Sequence, residues 1–368
     1  MNKRLVVGLG WLCACAIAHA DILIGQTAGL TGPTAPAMKE VNEGANLYFA
    51  EVNRQGGIQG APIKLISMDD KFDPALAAKN AQELIEQKDV LALFLSRGTP
   101  PTEAILPVLA KHEIALIGPS TGAMSLHEPV NRYVYNVRAP YQAEATKGIV
   151  QLRSTGLSKI AVIYRDDSFG KDVMVGVSKG FTTVSLEPTF VEKVDRVKAD
   201  FSAAIARAKA TGPEAIMIIE SPVTVARAVG EMRKAGVLSQ VITLSNCASK
   251  GFVDALGADA RGVIVTQVFP GERARGVPMI AELATLAQAK NIEVSPATVE
   301  GFAAAKVLVE ALRRLKTATP TRKALMTVLD SMSRYDLGGV SVSFSSTDHT
   351  GLSFSDLSII GADGRFVR

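Results

Sequence analysis

From residue 22 onward, short apolar runs alternate with segments whose apolar residues recur every three or four positions. Residues 22–24 read as a strand that enters Gly29-Leu30-Thr31-Gly32-Pro33, a turn-rich loop. Met38, Val41, Ala45, Tyr48, Phe49 and Val52 keep helical spacing, and Gly56-Gly57 stops that helix. A strand follows over 63–68. Asp73-Pro74 then supplies an N-cap and a first-turn proline for a helix running to about residue 88. The pattern continues with a strand over 90–95, a helix over 102–111 and strands over 114–117 and 133–137. It restarts with a helix over 142–153, a strand over 160–164, helices over 172–181 and 200–209, and a strand over 215–219. A helix over 223–235 and strands over 241–244 and 262–268 close this half. Helices over 279–290, 298–315 and 321–331 precede strand-like 340–344 and 354–360.

Apolar strands alternating with amphipathic helices predict an α/β fold with parallel sheets covered on both faces. A weak internal echo predicts two such units. Residues 90–120 run strand, loop, helix, strand and then Gly118-Pro119-Ser120-Thr121-Gly122. Residues 215–246 run strand, Glu220-Ser221-Pro222 loop, helix, strand and then Ser245-Asn246. Two lobes wired alike would present both sets of loops at the carboxyl ends of their sheets, where open α/β sheets bind ligands.

The N-terminus carries a different signal. Lys3 and Arg4 precede an apolar stretch from Leu5 to Ile17, and Ala18-His19-Ala20 fits a small-x-small cleavage site. The stretch is shorter than the ~20 apolar residues that span a bilayer. Residues 1–20 are therefore expected to be a signal peptide, with Asp21 the first mature residue in the periplasm. Leu12-Cys13-Ala14-Cys15 is an alternative lipoprotein box that would leave Cys15 lipid-anchored. With Cys13 and Cys15 removed, only Cys247 remains, so no internal disulfide and no cysteine-rich metal site can form. A 368-residue chain that is 47% hydrophobic exceeds the usual single-core limit, so two domains are expected. Loss of Lys3 and Arg4 takes the net charge from +4 to +2, with no dense basic stripe, and aromatic content is 5%; nucleic acid is not an expected partner.

At this point the chain resembles the type I periplasmic binding proteins of ABC transporters, in the branched-chain amino-acid (Leu/Ile/Val) binding group. The resemblance covers essentially the whole mature chain. It is carried by Gly29-Leu-Thr-Gly-Pro33, the 42–53 helix with Gly56-Gly-Ile-Gln-Gly60, Asp69-Asp70 with Asp73-Pro74, and Gly118-Pro-Ser-Thr-Gly122. Residues 160–164 with Ser168-Phe-Gly170, then Asp200-Phe201 and Gly262-Val-Ile-Val-Thr266, continue it in order. The resemblance implies two Rossmann-like lobes joined by three crossover segments, near Arg138, Phe269 and Phe344. It divides the chain into 21–138 plus 269–343 and 139–268 plus 344–368. It also implies a small-molecule ligand, hinge closure, ABC permease subunits in the inner membrane as partners, no catalysis and no cofactor. A monomer is expected.

In this family the N-terminal lobe holds the ligand carboxylate. The resemblance places Thr99, with Gly98, and Ser120, Thr121 and Gly122 in that role. A helix N-terminus behind Gly98-Thr99 offers free N–H groups and a positive dipole to an anion; alternatively Thr99 and Ser120 only cap their own helices. Arg97 could add a bidentate contact, or could be a solvated side chain. In the other lobe Phe169 stands where the family often has Tyr. Ser221 replaces another Tyr, and Ser245, beside Asn246, replaces the Glu that pairs with the ligand ammonium. Glu220 is one step from Ser221 and should face the other way. A buried ammonium without a partner costs several kcal/mol, so the residues fit an organic or aromatic acid as well as a branched-chain amino acid.

Other function classes compete. Gly118-Pro-Ser-Thr-Gly122 matches G-x-S-x-G, with Asp348-His349 downstream, so a serine hydrolase using Ser120 is an alternative. Triad partners, however, normally come from separate loops, and these two are adjacent. No histidine pair has metal-ligand spacing, and neither a P-loop nor a dinucleotide fingerprint occurs in the mature chain. The same fold could also act as a ligand sensor for a signalling partner.

Overall fold

A computed structural model describes residues 20–317 and 319–368. The expected signal segment lies outside the described residues except for Ala20. In chain order the first lobe begins with β1 (Ile22–Ala28), α1 (Ala35–Arg54), β2 (Ile63–Asp69), α2 (Pro74–Glu86), β3 (Ala92–Phe94), α3 (Thr99–His112), β4 (Leu116–Ile117) and β5 (Val134–Tyr135). The second lobe follows as α4 (Tyr141–Ser154), β6 (Ile160–Arg165), α5 (Ser168–Thr183), β7 (Val191–Val194), α6 (Ser202–Thr211), β8 (Ala215–Ile219), α7 (Pro222–Lys234), β9 (Gln240–Thr243), α8 (Lys250–Leu256) and β10 (Ile264–Gln267). The chain then returns through α9 (Pro278–Gln288), α10 (Pro296–Arg314), α11 (Arg322–Asp330), β11 (Tyr335–Asp336) and β12 (Ser341–Val342), and ends with β13 (Asp356–Ile360) and β14 (Phe366–Val367).

The local signals explain where these elements begin. Asp73 caps α2 by accepting the Leu76 N–H at 2.9 Å. Ser295 and Thr298 form a reciprocal capping box at α10, with Pro296 in the first turn. The helix expected at 172–181 starts earlier, at Ser168, because Asp167 caps it through Gly170 N–H. The helix expected at 102–111 starts at Thr99, since Pro100 and Pro101 occupy its first turn, where no N–H is needed.

Five parallel strands build the first sheet in the order β2-β1-β3-β4-β5. The second has seven, ordered β14-β13-β10-β9-β8-β6-β7. The interior strand β8 is buried along its whole length between β6 and β9, which its unbroken apolar run requires. This sheet is not wholly parallel. β13 pairs antiparallel with β10, and β14 with β13, so 262–268 does not close the half as expected. The strand-like 340–344 contributes only β12, which pairs with β11 in a separate two-stranded ribbon.

The chain passes between the sheets three times, between β5 and α4, between β10 and α9, and between β12 and β13. α1 and α10 cover the first sheet and cross closely. A Cβ on Gly44 would lie 1.9 Å from the Thr298 carbonyl, and one on Gly301 would lie 1.8 Å from that of Val41. That crossing fixes Glu40 on α1 and Glu300 on α10, both of which reach the face between the lobes. Among the described residues, no helix is long and apolar enough to cross a membrane.

Candidate ligand-binding cleft

The loops that leave β3, β4, β6, β8 and β9 converge between the lobes, at the carboxyl ends of the strands. Two of them are tied together locally. Ser120 N–H donates to the Ser96 carbonyl at 2.7 Å, and Arg97 pairs with Ser120 as an isolated parallel bridge. The Thr99 and Thr121 hydroxyls lie 2.8 Å apart. Capping does not account for Thr99 or Ser120. The cap of α3 is Gly98, at φ 84°, with no side-chain hydrogen bond, and Ser120 turns its hydroxyl elsewhere.

Arg97 is only 3% exposed, so the solvated alternative fails. One guanidinium nitrogen donates to Ser120 Oγ at 2.6 Å. The other crosses to the second lobe and donates to the Asn246 carbonyl at 2.8 Å. No carboxylate among the described residues pairs with it. Ser120 Oγ donates in turn to Glu300 Oε1 at 2.8 Å.

The cavity between the lobes is lined by Thr34, Phe72, Arg97, Gly98, Thr99, Ser120, Tyr141, Arg165, Phe169, Ser221 and Asn246. Seven of these were expected from the sequence: Arg97, Gly98, Thr99, Ser120, Phe169, Ser221 and Asn246. Thr121, Gly122, Glu220 and Ser245 stand behind the wall. Gly122 accepts the Tyr141 N–H at 2.7 Å and so positions that ring. Ser245 receives Arg138 and donates to Glu144 Oε1 at 3.0 Å. It thus belongs to a buried ion pair, Arg138–Glu144 at 2.8 Å, rather than to the wall. Glu220 accepts the Ser221 N–H at 2.8 Å, and its Oε2 lies 3.7 Å from Arg165. Burial pushes its carboxyl up to about 7, against the pull of Arg165.

Phe72, Tyr141, Arg165 and Thr34 on the wall were not read from the sequence. Phe72 adopts φ 62° on the loop after β2 and places its ring against Gly98, where a Cβ would meet it at 2.3 Å. The guanidinium groups of Arg165 and Arg196 lie 5.3 and 5.4 Å from its ring centroid. Arg196 also donates to the Phe72 carbonyl at 2.7 Å. Tyr141 meets Phe169 edge-on at 5.1 Å, and Arg165 lies over the Phe169 ring at the same distance. With Phe72 inserted and the lobes in contact, the cavity is about 20 Å3, room for about one water. Any larger ligand must displace Phe72 or hold the lobes further apart.

The wall thus carries two cations, Arg97 and Arg165, and no carboxylate. Arg165 is neutralised from behind by Asp167 at 2.7 Å, with the Glu220 carboxyl 3.7 Å away; Arg97 is not neutralised. A hydrolytic triad is not assembled. Ser120 bonds to Arg97 and Glu300, while the buried His349 holds Val134 O at 2.9 Å and Asp330 at 3.2 Å and stacks on Tyr135. Cys247 is buried, and burial pushes its thiol up to about 12.

Comparison with known proteins agrees with this architecture. The family model described as periplasmic binding protein matches residues 21–355. The chain belongs to the periplasmic binding protein family. It is a substrate-binding protein and not an enzyme. It is 26% identical to the Leu/Ile/Val-binding protein homolog 2 of Brucella abortus over 346 residues, 88% of this chain and 87% of that one. A substrate-binding periplasmic protein from Ralstonia solanacearum is 30% identical, with a TM-score of 0.86 over 94% of this chain and 99% of that chain. A branched-chain amino acid ABC transporter protein from Thermus thermophilus with bound valine shares the fold, at TM-score 0.83 and 18% identity, over 95% of this chain and 96% of that chain. Membership of this family places the protein's work outside the cytoplasm.

Proposed function

We propose that this protein is the extracytoplasmic solute-binding component of an ABC uptake transporter, and that its ligand is a small carboxylate without an α-ammonium. The N-terminal lobe is taken as 21–138 plus 269–343 and the C-terminal lobe as 139–268 plus 344–368. They close on the ligand and present it, as a monomer, to permease subunits.

The observation that carries the ligand class is Arg97. A guanidinium this deeply buried is costly without an anion, and its present partners are a hydroxyl and a carbonyl. A ligand carboxylate on Arg97, beside Ser120 and the first turn of α3, completes the pairing. Because the wall offers no carboxylate, a ligand ammonium would be desolvated beside two guanidinium groups. The names of the relatives favour branched-chain amino acids; the composition of this wall favours their deaminated counterparts or other organic and aromatic acids.

A thermal-shift panel of amino acids, aliphatic acids and aromatic acids tests the proposal. Selective stabilisation by acids lacking an amino group is expected. Stabilisation by leucine, isoleucine or valine, with no response to any of the acids, would contradict it.

A further inference from the structure

Asn246 is 8% exposed and lines the cleft. Its Nδ2 donates to the Glu220 carbonyl at 2.8 Å, which fixes the orientation of the amide. The other end, Oδ1, is buried and has no hydrogen-bond partner. Three hydroxyls on the wall are already engaged with protein partners: Thr99 with Thr121, Ser120 with Glu300 and Ser221 with Thr224. Buried polar atoms are nearly always paired, so an unpaired acceptor on a binding wall marks where a ligand donor belongs.

Resting on the carboxylate reading above, we propose that the ligand also carries a hydroxyl, and that Asn246 Oδ1 accepts its proton. The class is a hydroxy-substituted monocarboxylate, alkyl or aryl. One carboxylate suffices, because Arg97 lacks an acidic partner while Arg165 already has Asp167. A hydroxyl fits better than an ammonium, because Oδ1 is a neutral acceptor on a wall with two guanidinium groups and no carboxylate. Asn246 is then a specificity residue. A site built to receive a hydroxyl discriminates against the analogue that lacks it, since the acceptor is left unpaired.

Calorimetry on the mature chain with matched pairs tests this: 2-hydroxy-4-methylpentanoate against 4-methylpentanoate, 4-hydroxybenzoate against benzoate, and leucine as the amino counterpart. At least one hydroxy acid should bind about tenfold tighter or more than its partner, a difference of about 1.4 kcal/mol, and the responding pair identifies the alkyl or aryl source. Asn246→Ala should reduce the ratio of the responding pair to about twofold, and a ratio kept at about tenfold or more in the variant would overturn the assignment of the hydroxyl to Oδ1. If the variant does not fold, the wild-type ratio decides alone. Acids binding equally well with and without the hydroxyl would overturn this inference and leave the carboxylate proposal standing. Leucine binding where no acid does would overturn both.

Discussion

Arg97 sits among polar atoms that do not neutralise it, and this makes its substitution informative. Arg97→Gln removes the cation a ligand carboxylate would pair with. Loss of one partner of a buried ion pair costs ~3–5 kcal/mol, so affinity should fall by roughly two orders of magnitude or more. The melting temperature of the unliganded variant should hold or rise, because no carboxylate in the protein loses its partner. Calorimetry and a thermal melt on the same sample check both. Glu220 gives a second residue-scale expectation. Its carboxyl is raised from 4.5 to about 7, so the native state favours the protonated form. The resulting stability is fully present below pH 4.5 and is lost as pH rises through about 7, up to about 3 kcal/mol at 1.36 kcal/mol per unit. Glu220→Gln should flatten the melting temperature between pH 5 and 7.5, and an unchanged slope would refute the assignment. Thr99 and Ser120 were named through the family resemblance, since their residues alone left helix capping as an equal reading; both line the cavity. The burial of Arg97 was not legible in the sequence, because it depends on the second lobe supplying the Asn246 carbonyl. Ser221 lines the cavity and Glu220 does not, but both lie beyond the end of β8, where strand alternation does not apply.

At the scale of elements, apolar periodicity located most strands and helices, and β8 was read to its ends. It passed over β7, an edge strand whose Val-Glu-Lys-Val sequence lacks an apolar run, and α8, a single helix of seven residues. The omission of α8 matters because its N-terminus joins the lobes. Glu40 on α1 accepts the Lys250 and Gly251 N–H groups at 2.9 and 2.7 Å, and a Cβ on Gly251 would lie 2.5 Å from Pro36 Cβ. Glu40 therefore fastens the closed arrangement, and Gly251 permits the approach. Charge-assisted hydrogen bonds of this kind contribute ~1.5–3 kcal/mol. Glu40→Gln should weaken ligand binding by roughly tenfold without touching the cleft wall. Gly251→Ala should weaken it through the clash with Pro36. Calorimetry gives the affinities, and scattering profiles shifted toward the open form would tie the loss to closure; unchanged affinity in both variants would remove the latch.

For the whole molecule, the two-lobed plan was readable from one repeated strand-loop-helix pattern; β13 was read as strand-like 354–360, but its antiparallel pairing and β14 were not. The pairing of β13 with β10, and of β14 with β13, is set by the return of the chain after the last crossover, a long-range event that local periodicity does not encode. Three inter-lobe contacts, Arg97 with Asn246, Arg196 with Phe72 and Glu40 with α8, describe a closed cleft with little free space. Binding must then involve hinge opening and closure, and small-angle scattering should show a smaller radius with a saturating ligand than without it. The most direct test of the ligand class is mass spectrometry of whatever the mature protein carries when purified from its own host, with and without an amine-reactive label. A small organic acid that ionises as an anion and takes up no label is expected. Recovery of labelled leucine, isoleucine or valine would contradict the proposed ligand class.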